Sequence, residues 1–146
     1  MTEPQLRELP ARPYVGRRST VSMEALPATV DRGFPELFAR AGEPSGAPFI
    51  RYYAFAPQLD IELGVPVAGG DRELPASTYA VVSYFGPYDG LRDAHASLRA
   101  WAAEQGLTLG EAIETYITDP RAEPDPSKRE TEIAYLVVGP EEAAAA

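Results

Sequence analysis

The sequence contains no cysteine, a single histidine (His95) and a single lysine among its 13 basic residues. Without cysteine the chain can form no disulfide, no thiolate nucleophile and no cysteine-ligated metal or iron–sulfur site. One histidine excludes a histidine-rich metal site and gives little support to a Ser-His-Asp triad. We therefore expect neither a metal nor a cofactor.

Long apolar runs and an excess of positive charge are also missing. No stretch of 18 apolar residues occurs, so we expect no membrane-spanning helix. The first residues lack the basic start and apolar stretch of a secretory signal, which predicts a cytoplasmic location. The formal net charge is −9, with 13 Lys+Arg against 22 Asp+Glu. DNA binding needs clustered basic side chains, so we expect no direct nucleic-acid binding and a preference for cationic ligands.

The composition is that of one globular domain. The chain has 146 residues, of which 45% are hydrophobic and 24% charged. This length and composition predict one domain with one core. We assign residues 1–140 to that domain and residues 141–146 to a flexible tail.

Two segments of the chain resemble each other without gaps, residues 14–26 and residues 79–91. Each begins with tyrosine, has a strand-like composition, and ends in an acidic residue, a small residue and leucine. Apolar residues at helical spacing follow both segments. These residues are Val30, Phe34, Leu37, Phe38 and Ala41 in the first half, and Leu91, Ala94, Leu98 and Trp101 in the second.

Two strand-like segments follow each predicted helix. They cover residues 48–55 and 58–67 in the first half, and residues 111–118 and 131–138 in the second. The order strand, helix, strand, strand therefore occurs twice. It predicts an α+β fold of two βαββ repeats, about residues 5–67 and 78–138. Pairing by a pseudo-two-fold axis would place both helices on one side, and we expect a ligand cleft where the units meet.

Glu114 and Tyr116 occupy alternate positions of a predicted strand, so they share one of its faces. If that face lines the cleft, the carboxylate is partly removed from water and needs a partner. A tyrosine hydroxyl and an organic cation are both suitable partners. The competing interpretation is a solvated glutamate on the polar face of a half-exposed strand.

Aromatic residues are the second feature that suggests a ligand site. The chain has 8 tyrosines, several of them in predicted strands. Tyrosine and tryptophan rings accept flat apolar molecules and attract cations, at about 0.5–2 kcal/mol for each ring. Ordinary sheet packing explains any single tyrosine equally well. Trp101 lies on the apolar stripe of the second helix, which indicates a core position but also suits a pocket wall.

Other polar residues are weaker candidates. Glu132 could act as a second acid near Glu114, although a solvent-facing strand position is favoured. We expect Asp60 and Glu62 to be surface charges or ion-pair partners of Arg51. His95 is expected at the surface or at the boundary of the second helix.

A series of short motifs resembles a known family. The chain contains, in order, Arg51-Tyr-Tyr, Asp60-Ile-Glu-Leu-Gly-Val-Pro-Val67, Gly86-Pro-Tyr-Asp-Gly-Leu91, Trp101, Glu114-Thr-Tyr-Ile-Thr-Asp-Pro120 and Thr131-Glu-Ile133. This series resembles the GyrI-like small-molecule-binding family, the effector-binding domain of AraC-type and MerR-type multidrug regulators. The resemblance implies a SOUL-type fold with a central pocket for lipophilic, aromatic and often cationic compounds.

The resemblance also implies which residues form the pocket. Glu114 matches the acidic residue that meets the positive charge of the ligand. The implied ring residues are Tyr52, Tyr53, Tyr84, Tyr88, Trp101 and Tyr116. The motif leaves open whether Tyr52 or Tyr53 faces the pocket, and many family members have histidine in the place of Tyr84.

Two functions follow from this resemblance. The first is binding or sequestration of a lipophilic, aromatic, cationic molecule. The alternative is a cyclopropanoid cyclopropyl hydrolase, which opens the reactive ring of DNA-alkylating natural products. In that reaction Glu114 would deprotonate a water molecule and Tyr116 would donate a hydrogen bond to developing negative charge. Whether the chain is an enzyme stays open at this point.

The resemblance extends from about residue 6 to residue 138 and includes no DNA-binding helices. We therefore expect a stand-alone member whose partner is a hydrophobic or cationic small molecule, with no nucleic acid and no membrane. A protein partner, such as a topoisomerase, is a weaker third hypothesis. Haem binding lacks a candidate ligand other than His95.

Overall fold

The computed structural model describes residues 1–138, and the predicted tail at residues 141–146 lies outside them. The chain divides into two compact units, Pro10–Ala76 and a second unit that combines Met1–Leu9 with the chain from Ser77 onward. The elements are β1 (Gln5–Leu9), β2 (Arg12–Val21), α1 (Leu26–Ala41), β3 (Phe49–Ala54), β4 (Leu59–Pro66), β5 (Arg72–Leu74), β6 (Ser77–Phe85), α2 (Leu91–Glu104), β7 (Thr108–Tyr116) and β8 (Glu130–Val138), with short 3-10 turns at Tyr88–Gly90 and Pro126–Lys128. The predicted α+β class is confirmed.

The Pro10–Ala76 unit is an antiparallel sheet in the order β3-β4-β2-β5, with α1 against one face. Gly33 lets the helix approach closely, because a Cβ at this position would collide with the Leu63 side chain. Leu63 alternates along β4 with Glu62, so Glu62 lies on the face away from α1. The helix ends at Gly42, whose φ of 73° is a left-handed conformation that glycine adopts without strain.

The second unit is an antiparallel sheet in the order β1-β6-β8-β7. Its helix α2 buries one side, which carries Leu91, Ala94, His95, Leu98 and Ala102. These positions recur at intervals of three and four residues, which is the spacing of one helix face. The helix therefore covers one face of its own sheet in the same way that α1 does.

The duplicated segments of the sequence occupy equivalent places in the two units. Tyr14 and Tyr79 are each the third residue of a strand, and Leu26 and Leu91 are each the first residue of the following helix. Both tyrosines are fully buried. The predicted order of strand, helix, strand and strand is thus confirmed in both halves.

Two short strands differ from the prediction. The segment Gln5–Leu9, which we placed in the first repeat, pairs with β6 of the other unit. The segment Arg72–Leu74, which lies outside the strands that we predicted, forms β5 beside β2. A strand of three residues is too short to show the alternation that marks a strand in sequence. Within residues 1–138, no helix is both long and apolar enough to cross a membrane.

Candidate functional site

Glu114 is the seventh of the nine residues of β7 and is 5% exposed. Ala112, Glu114 and Tyr116 alternate along the strand, and Ala112 lies opposite Tyr135 of β8. Because opposed residues in an antiparallel pair share a face, Tyr135 belongs to the same face. This is the face covered by α2, since the helix residue His95 contacts both Glu114 and Tyr135.

Both carboxylate oxygens of Glu114 accept hydrogen bonds from its own unit. The Tyr116 hydroxyl donates to Oε1 at 2.7 Å, and His95 Nε2 lies 2.6 Å from Oε2. A buried carboxylate is stable only when its oxygens are satisfied in this way. The interpretation of Glu114 as a solvated surface glutamate is therefore wrong.

His95 is buried rather than at the surface, with 6% of the residue exposed, so that expectation is corrected. Its other ring nitrogen, Nδ1, lies 2.8 Å from the Tyr135 hydroxyl. Arg99, one helical turn further on, donates from Nη1 to the same hydroxyl at 2.9 Å. Burial raises the pKa of Tyr135, while the bond from Arg99 opposes this shift. Sequence reasoning missed Tyr135 and Arg99 as neighbours of the site.

Tyr88 connects the buried carboxylate to the surface. Its ring packs edge-to-face on Tyr116, with ring centroids 5.9 Å apart and planes at 72°. Tyr88 is 41% exposed, Tyr116 is half-buried and Glu114 is buried. The three residues are therefore in contact in order of decreasing exposure, from Tyr88 through Tyr116 to Glu114. Burial also raises the pKa of Tyr88, so its hydroxyl stays protonated at neutral pH.

Tyr84 and Trp101 lie in the same unit but have other surroundings. The Tyr84 hydroxyl donates to the carbonyl of Pro87 at 2.7 Å and closes the turn before α2. A Cβ at Gly90 would collide with this hydroxyl, which explains the glycine there. Trp101 is half-buried on α2. It follows His95 by six residues, which places it about 120° around the helix from the Glu114 contact.

Tyr52 and Tyr53 lie on opposite faces of β3 in the Pro10–Ala76 unit. Tyr52 is 6% exposed, stacks on Phe55 at 4.9 Å and shares the helix-covered face of its sheet. The Tyr53 ring lies under two guanidinium groups, with Arg18 at 3.8 Å and Arg51 at 4.7 Å from its centroid. Tyr53 is therefore already used as a cation-binding ring within its own unit.

Glu62 is a second buried carboxylate, with 1% of the residue exposed, so the expected surface position is wrong. It accepts hydrogen bonds from Tyr14 and from Tyr53 and forms an ion pair with Arg72. Arg51 donates to the Tyr14 hydroxyl at 2.9 Å and extends the network. Sequence alternation could not show that the face of the sheet away from α1 is buried at this point.

The remaining candidate acids have separate roles. Glu132 lies opposite Thr115, hence on the other face of the sheet from Glu114, and pairs with Arg7 at 3.5 Å. Asp60 accepts two hydrogen bonds from Arg18, at 3.0 and 2.8 Å. Neither carboxylate joins Glu114 as a second acid. No group of three or more His, Asp or Glu side chains within residues 1–138 comes together to hold a metal ion.

An open depression of about 430 Å³ lies in the Pro10–Ala76 unit, between the end of α1 and residues 67–71. Its walls include Val15, Arg40, Val67 and Asp71. None of the predicted site residues lines it.

The sequence matches the family model of the GyrI-like small molecule binding domain over residues 2–137. The chain therefore belongs to the GyrI-like family and is a small-molecule-binding domain. This membership confirms the predicted GyrI-like fold. No curated protein matches the sequence.

Solved structures with the same fold include a protein in complex with DNA and a hydrolase. The C-terminal domain of EcmrR is 23% identical with a TM-score of 0.79, covering 93% of this chain and 97% of that one. Against EcmrR in its complex with DNA, the TM-score is 0.78 at 23% identity. The match covers 92% of this chain but only 57% of EcmrR, so the chain spans little more than half the length of that protein.

Two further structures extend the comparison. SAV2435 bound to tetraphenylphosphonium is 18% identical with a TM-score of 0.71, and the match covers 97% of each chain. A hydrolase from Listeria innocua is 10% identical with a TM-score of 0.66, covering 93% of this chain and 92% of that one. At these identities the likenesses establish the fold.

Proposed function

We propose that this domain binds lipophilic, aromatic cations at Glu114. The observation that carries the proposal is a buried carboxylate hydrogen-bonded to Tyr116, whose ring packs against the exposed ring of Tyr88. Glu114 supplies negative charge, Tyr116 contacts it directly, and Tyr88 continues the aromatic surface to solvent. A ligand with a flat apolar body and one positive charge has the matching chemistry.

Electrostatics favours a cation over a neutral ligand at this site. A carboxylate removed from water loses hydration, and a nearby positive charge compensates for that loss. At about 4 Å the attraction between two unit charges is roughly 4 kcal/mol for the effective dielectric of a protein surface. The net charge of −9 adds an attractive field for cations. It also supports a domain that does not itself contact nucleic acid.

The aromatic residues rank differently as ligand contacts. Tyr116 and Tyr88 are the leading candidates because they connect Glu114 to the surface. Tyr52 is favoured over Tyr53, since two guanidinium groups already lie over the Tyr53 ring. Tyr84 and Trp101 stay predictions with less support, one held in a turn and the other on a different side of α2.

Isothermal titration with two probes of equal shape and opposite charge tests the proposal. Tetraphenylphosphonium is the cation and tetraphenylborate is the anion. We expect the wild-type protein to bind the cation and to bind the anion at least tenfold more weakly, a difference of about 1.4 kcal/mol or more. Glu114→Gln keeps the shape of the side chain and should lose most of this preference.

Glu132→Gln is the matched control, because it removes the same charge from the opposite face of the same sheet. It should leave the affinity for tetraphenylphosphonium within about twofold of wild type. If wild type binds both probes equally, or if both substitutions have the same effect, the assignment of Glu114 is wrong.

Ring-opening hydrolysis is the second candidate function. It is favoured by the Glu114–Tyr116 contact and by the fold shared with the Listeria innocua hydrolase. In this reaction Glu114 takes a proton from water while the water oxygen bonds to a ring carbon. The strained carbon–carbon bond breaks, and its electrons move to a conjugated carbonyl that accepts a hydrogen bond from Tyr116.

Product analysis separates this reaction from binding. Under the hydrolase hypothesis, a cyclopropane-bearing alkylator in large excess over the protein should be fully converted to its water adduct. Glu114→Ala should abolish this turnover. Loss of only one equivalent of the compound, or none, would leave binding as the function.

The biological role that we propose is capture or sensing of such a molecule. EcmrR contains a domain of this fold in a protein whose structure was determined with DNA. An effector-sensing role like that of AraC-type and MerR-type multidrug regulators is therefore part of the proposal, as is a cytoplasmic location. A DNA pull-down with the domain alone should recover no nucleic acid at physiological salt.

A further inference from the structure

Three residues behind Glu114 form a hydrogen-bonded chain that neither proposed function uses. Arg99 contacts the Tyr135 hydroxyl at 2.9 Å, and Tyr135 contacts His95 Nδ1 at 2.8 Å. His95 Nε2 then contacts Glu114 Oε2 at 2.6 Å. His95 and Arg99 are four residues apart on α2, so they lie on the same helix face. This series of hydrogen bonds therefore runs from an exposed arginine to a buried acid.

One placement of protons satisfies these contacts and also gives the buried Tyr135 hydroxyl proton an acceptor. A guanidinium only donates, so the Tyr135 oxygen accepts from Arg99. Tyr135 is 3% exposed, and His95 Nδ1 is the acceptor that the described residues place within reach of its hydroxyl proton. The ring proton then lies on Nε2 and is donated to Glu114. A proton on Nδ1 would instead be donated to the Tyr135 oxygen and would leave the buried hydroxyl proton without an acceptor.

We propose that Arg99 and Tyr135 hold His95 as the neutral tautomer that is protonated at Nε2. These three residues form a positioning relay, because the Nε2 proton in turn holds the anionic Glu114 carboxylate in the position that meets the ligand. This inference rests on the proposed cation site. It assigns Arg99 and Tyr135 as residues that set the affinity for a cation without touching it. Burial of the Tyr135 hydroxyl agrees with a phenol that keeps its proton.

Breaking the relay changes what Glu114 offers to a ligand. Without the Tyr135 hydroxyl, Nδ1 loses the donor that keeps it unprotonated. The imidazole is then free to carry its ring proton on Nδ1, and in that tautomer Glu114 Oε2 loses its donor. A carboxylate that has lost this hydrogen bond is no longer fixed in the position that meets a cationic ligand. We therefore expect weaker cation binding when either Tyr135 or Arg99 is changed.

The tautomer can be measured directly because His95 is the only histidine of the chain. In ¹⁵N-labelled wild-type protein without ligand, the ring nitrogen spectrum at pH 7.5 should show one protonated nitrogen, Nε2, and one unprotonated acceptor, Nδ1. Tyr135→Phe keeps the buried ring and removes only the hydroxyl. It should shift the spectrum toward a mixture of the two neutral tautomers.

Binding of tetraphenylphosphonium supplies the second readout. Tyr135→Phe and Arg99→Ala should each weaken binding by about tenfold, whereas Arg99→Lys, which can still donate to the hydroxyl, should recover most of it. Arg92→Ala is the matched control, since it removes an exposed arginine from the same helix. It should leave both affinity and spectrum unchanged.

The two readouts separate this proposal from the proposed function. An Nδ1-protonated ring in wild type, or the same spectrum in Tyr135→Phe, overturns the relay. If the spectra change as expected but Tyr135→Phe and Arg99→Ala bind the cation like wild type, the claim that the relay sets affinity is wrong. If wild type does not bind tetraphenylphosphonium, the cation site fails together with the affinity claim, and the spectra still decide the relay.

Discussion

Within residues 1–138, each unit buries one glutamate on a strand, and the two carboxylates are held by different partners. Glu62 accepts from Tyr14 and Tyr53 and pairs with Arg72, on the face away from α1. Glu114 accepts from Tyr116 and contacts His95, on the face beneath α2. Burial and a tyrosine partner are common to both.

The difference between the partners indicates the difference in role. A guanidinium carries a permanent positive charge, so Arg72 neutralises Glu62 under all ordinary conditions. An imidazole gains or loses its charge with one proton, so His95 can satisfy a carboxylate oxygen without neutralising it. We infer that Glu62 stabilises its unit, whereas Glu114 keeps charge available for a ligand.

The same substitution at both acids gives the sharpest test of this comparison. Glu62→Gln leaves Arg72 without its charge partner and should lower the free energy of unfolding by about 3 kcal/mol, measured by urea denaturation. Its affinity for tetraphenylphosphonium should stay within about twofold of wild type. Glu114→Gln should show the reverse pattern, with a smaller stability loss and a large loss of affinity. If the two variants behave alike, the distinction between the clusters fails.

Adding a methyl group next to Glu62 and Tyr14 should lower the stability of the protein and leave its affinity for ligand unchanged. A Cβ at Gly16 would lie 2.6 Å from Glu62 Oε2 and 2.8 Å from the Tyr14 ring. We expect Gly16→Ala to cost about 2 kcal/mol of unfolding free energy through overpacking. Gly46→Ala is the control, because its Cβ would make only ordinary contacts at 3.6 Å with Pro66. Equal stability of the two variants would mean that the cluster has room to adjust.

Alkaline unfolding should distinguish the tyrosines of the two clusters. Burial raises the pKa of Tyr14, and its hydrogen bond to Glu62 raises it further; burial also raises the pKa of Tyr135. The unfolded chain releases these protons near pH 10, so their stabilising effect is complete below that pH and is lost as the pH rises.

Stability measured from pH 9 to 11 should therefore fall less steeply in Tyr14→Phe and in Tyr135→Phe than in wild type. The slope should change by at most about 1.4 kcal/mol per pH unit for each tyrosine. Only Tyr135→Phe should also weaken cation binding. A Tyr14→Phe profile parallel to that of wild type would contradict the inferred burial of the neutral phenol.

Of the substitutions considered, those that break the exposed ion pair between Arg18 and Asp60 should change the stability of the protein least. The hydrogen bonds from Arg18 lower the pKa of Asp60, so any stabilisation is present above the ordinary pKa of an aspartate and is lost as the pH falls through the lowered value. Asp60→Asn should slightly flatten the acid side of the stability profile and leave ligand binding unchanged. Arg18→Ala should flatten the profile in the same way, and a difference between the two variants would show that the pair is not the cause.

The sequence predicted the elements well because their signals are local. The tyrosine and leucine that frame each duplicated segment fall at equivalent positions of a strand and a helix. The helical spacing of apolar residues is likewise read from neighbouring residues. The short β5 and the pairing of β1 depend on partners distant in sequence, and no local pattern specifies them.

The site was only partly predictable for the same reason. Alternation correctly places Glu114 and Tyr116 on one face of β7, and their hydrogen bond follows. His95 fits the apolar spacing of Leu91, Leu98 and Ala102, a signal that could have identified it as buried. The burial of Glu62 could not be found in this way, because it depends on how the face away from α1 is covered.

Strand β1 has a consequence for how the chain is assembled. In the sequence, residues 10–76 are an insertion between two parts of the other unit. The two boundaries of this insertion, after Leu9 and before Ser77, lie next to each other because these residues are paired in β1 and β6. Because β1 pairs with β6, a force applied to the amino terminus would act first on β6 and on the sheet that carries Glu114. Most of that sheet is formed by the second half of the sequence.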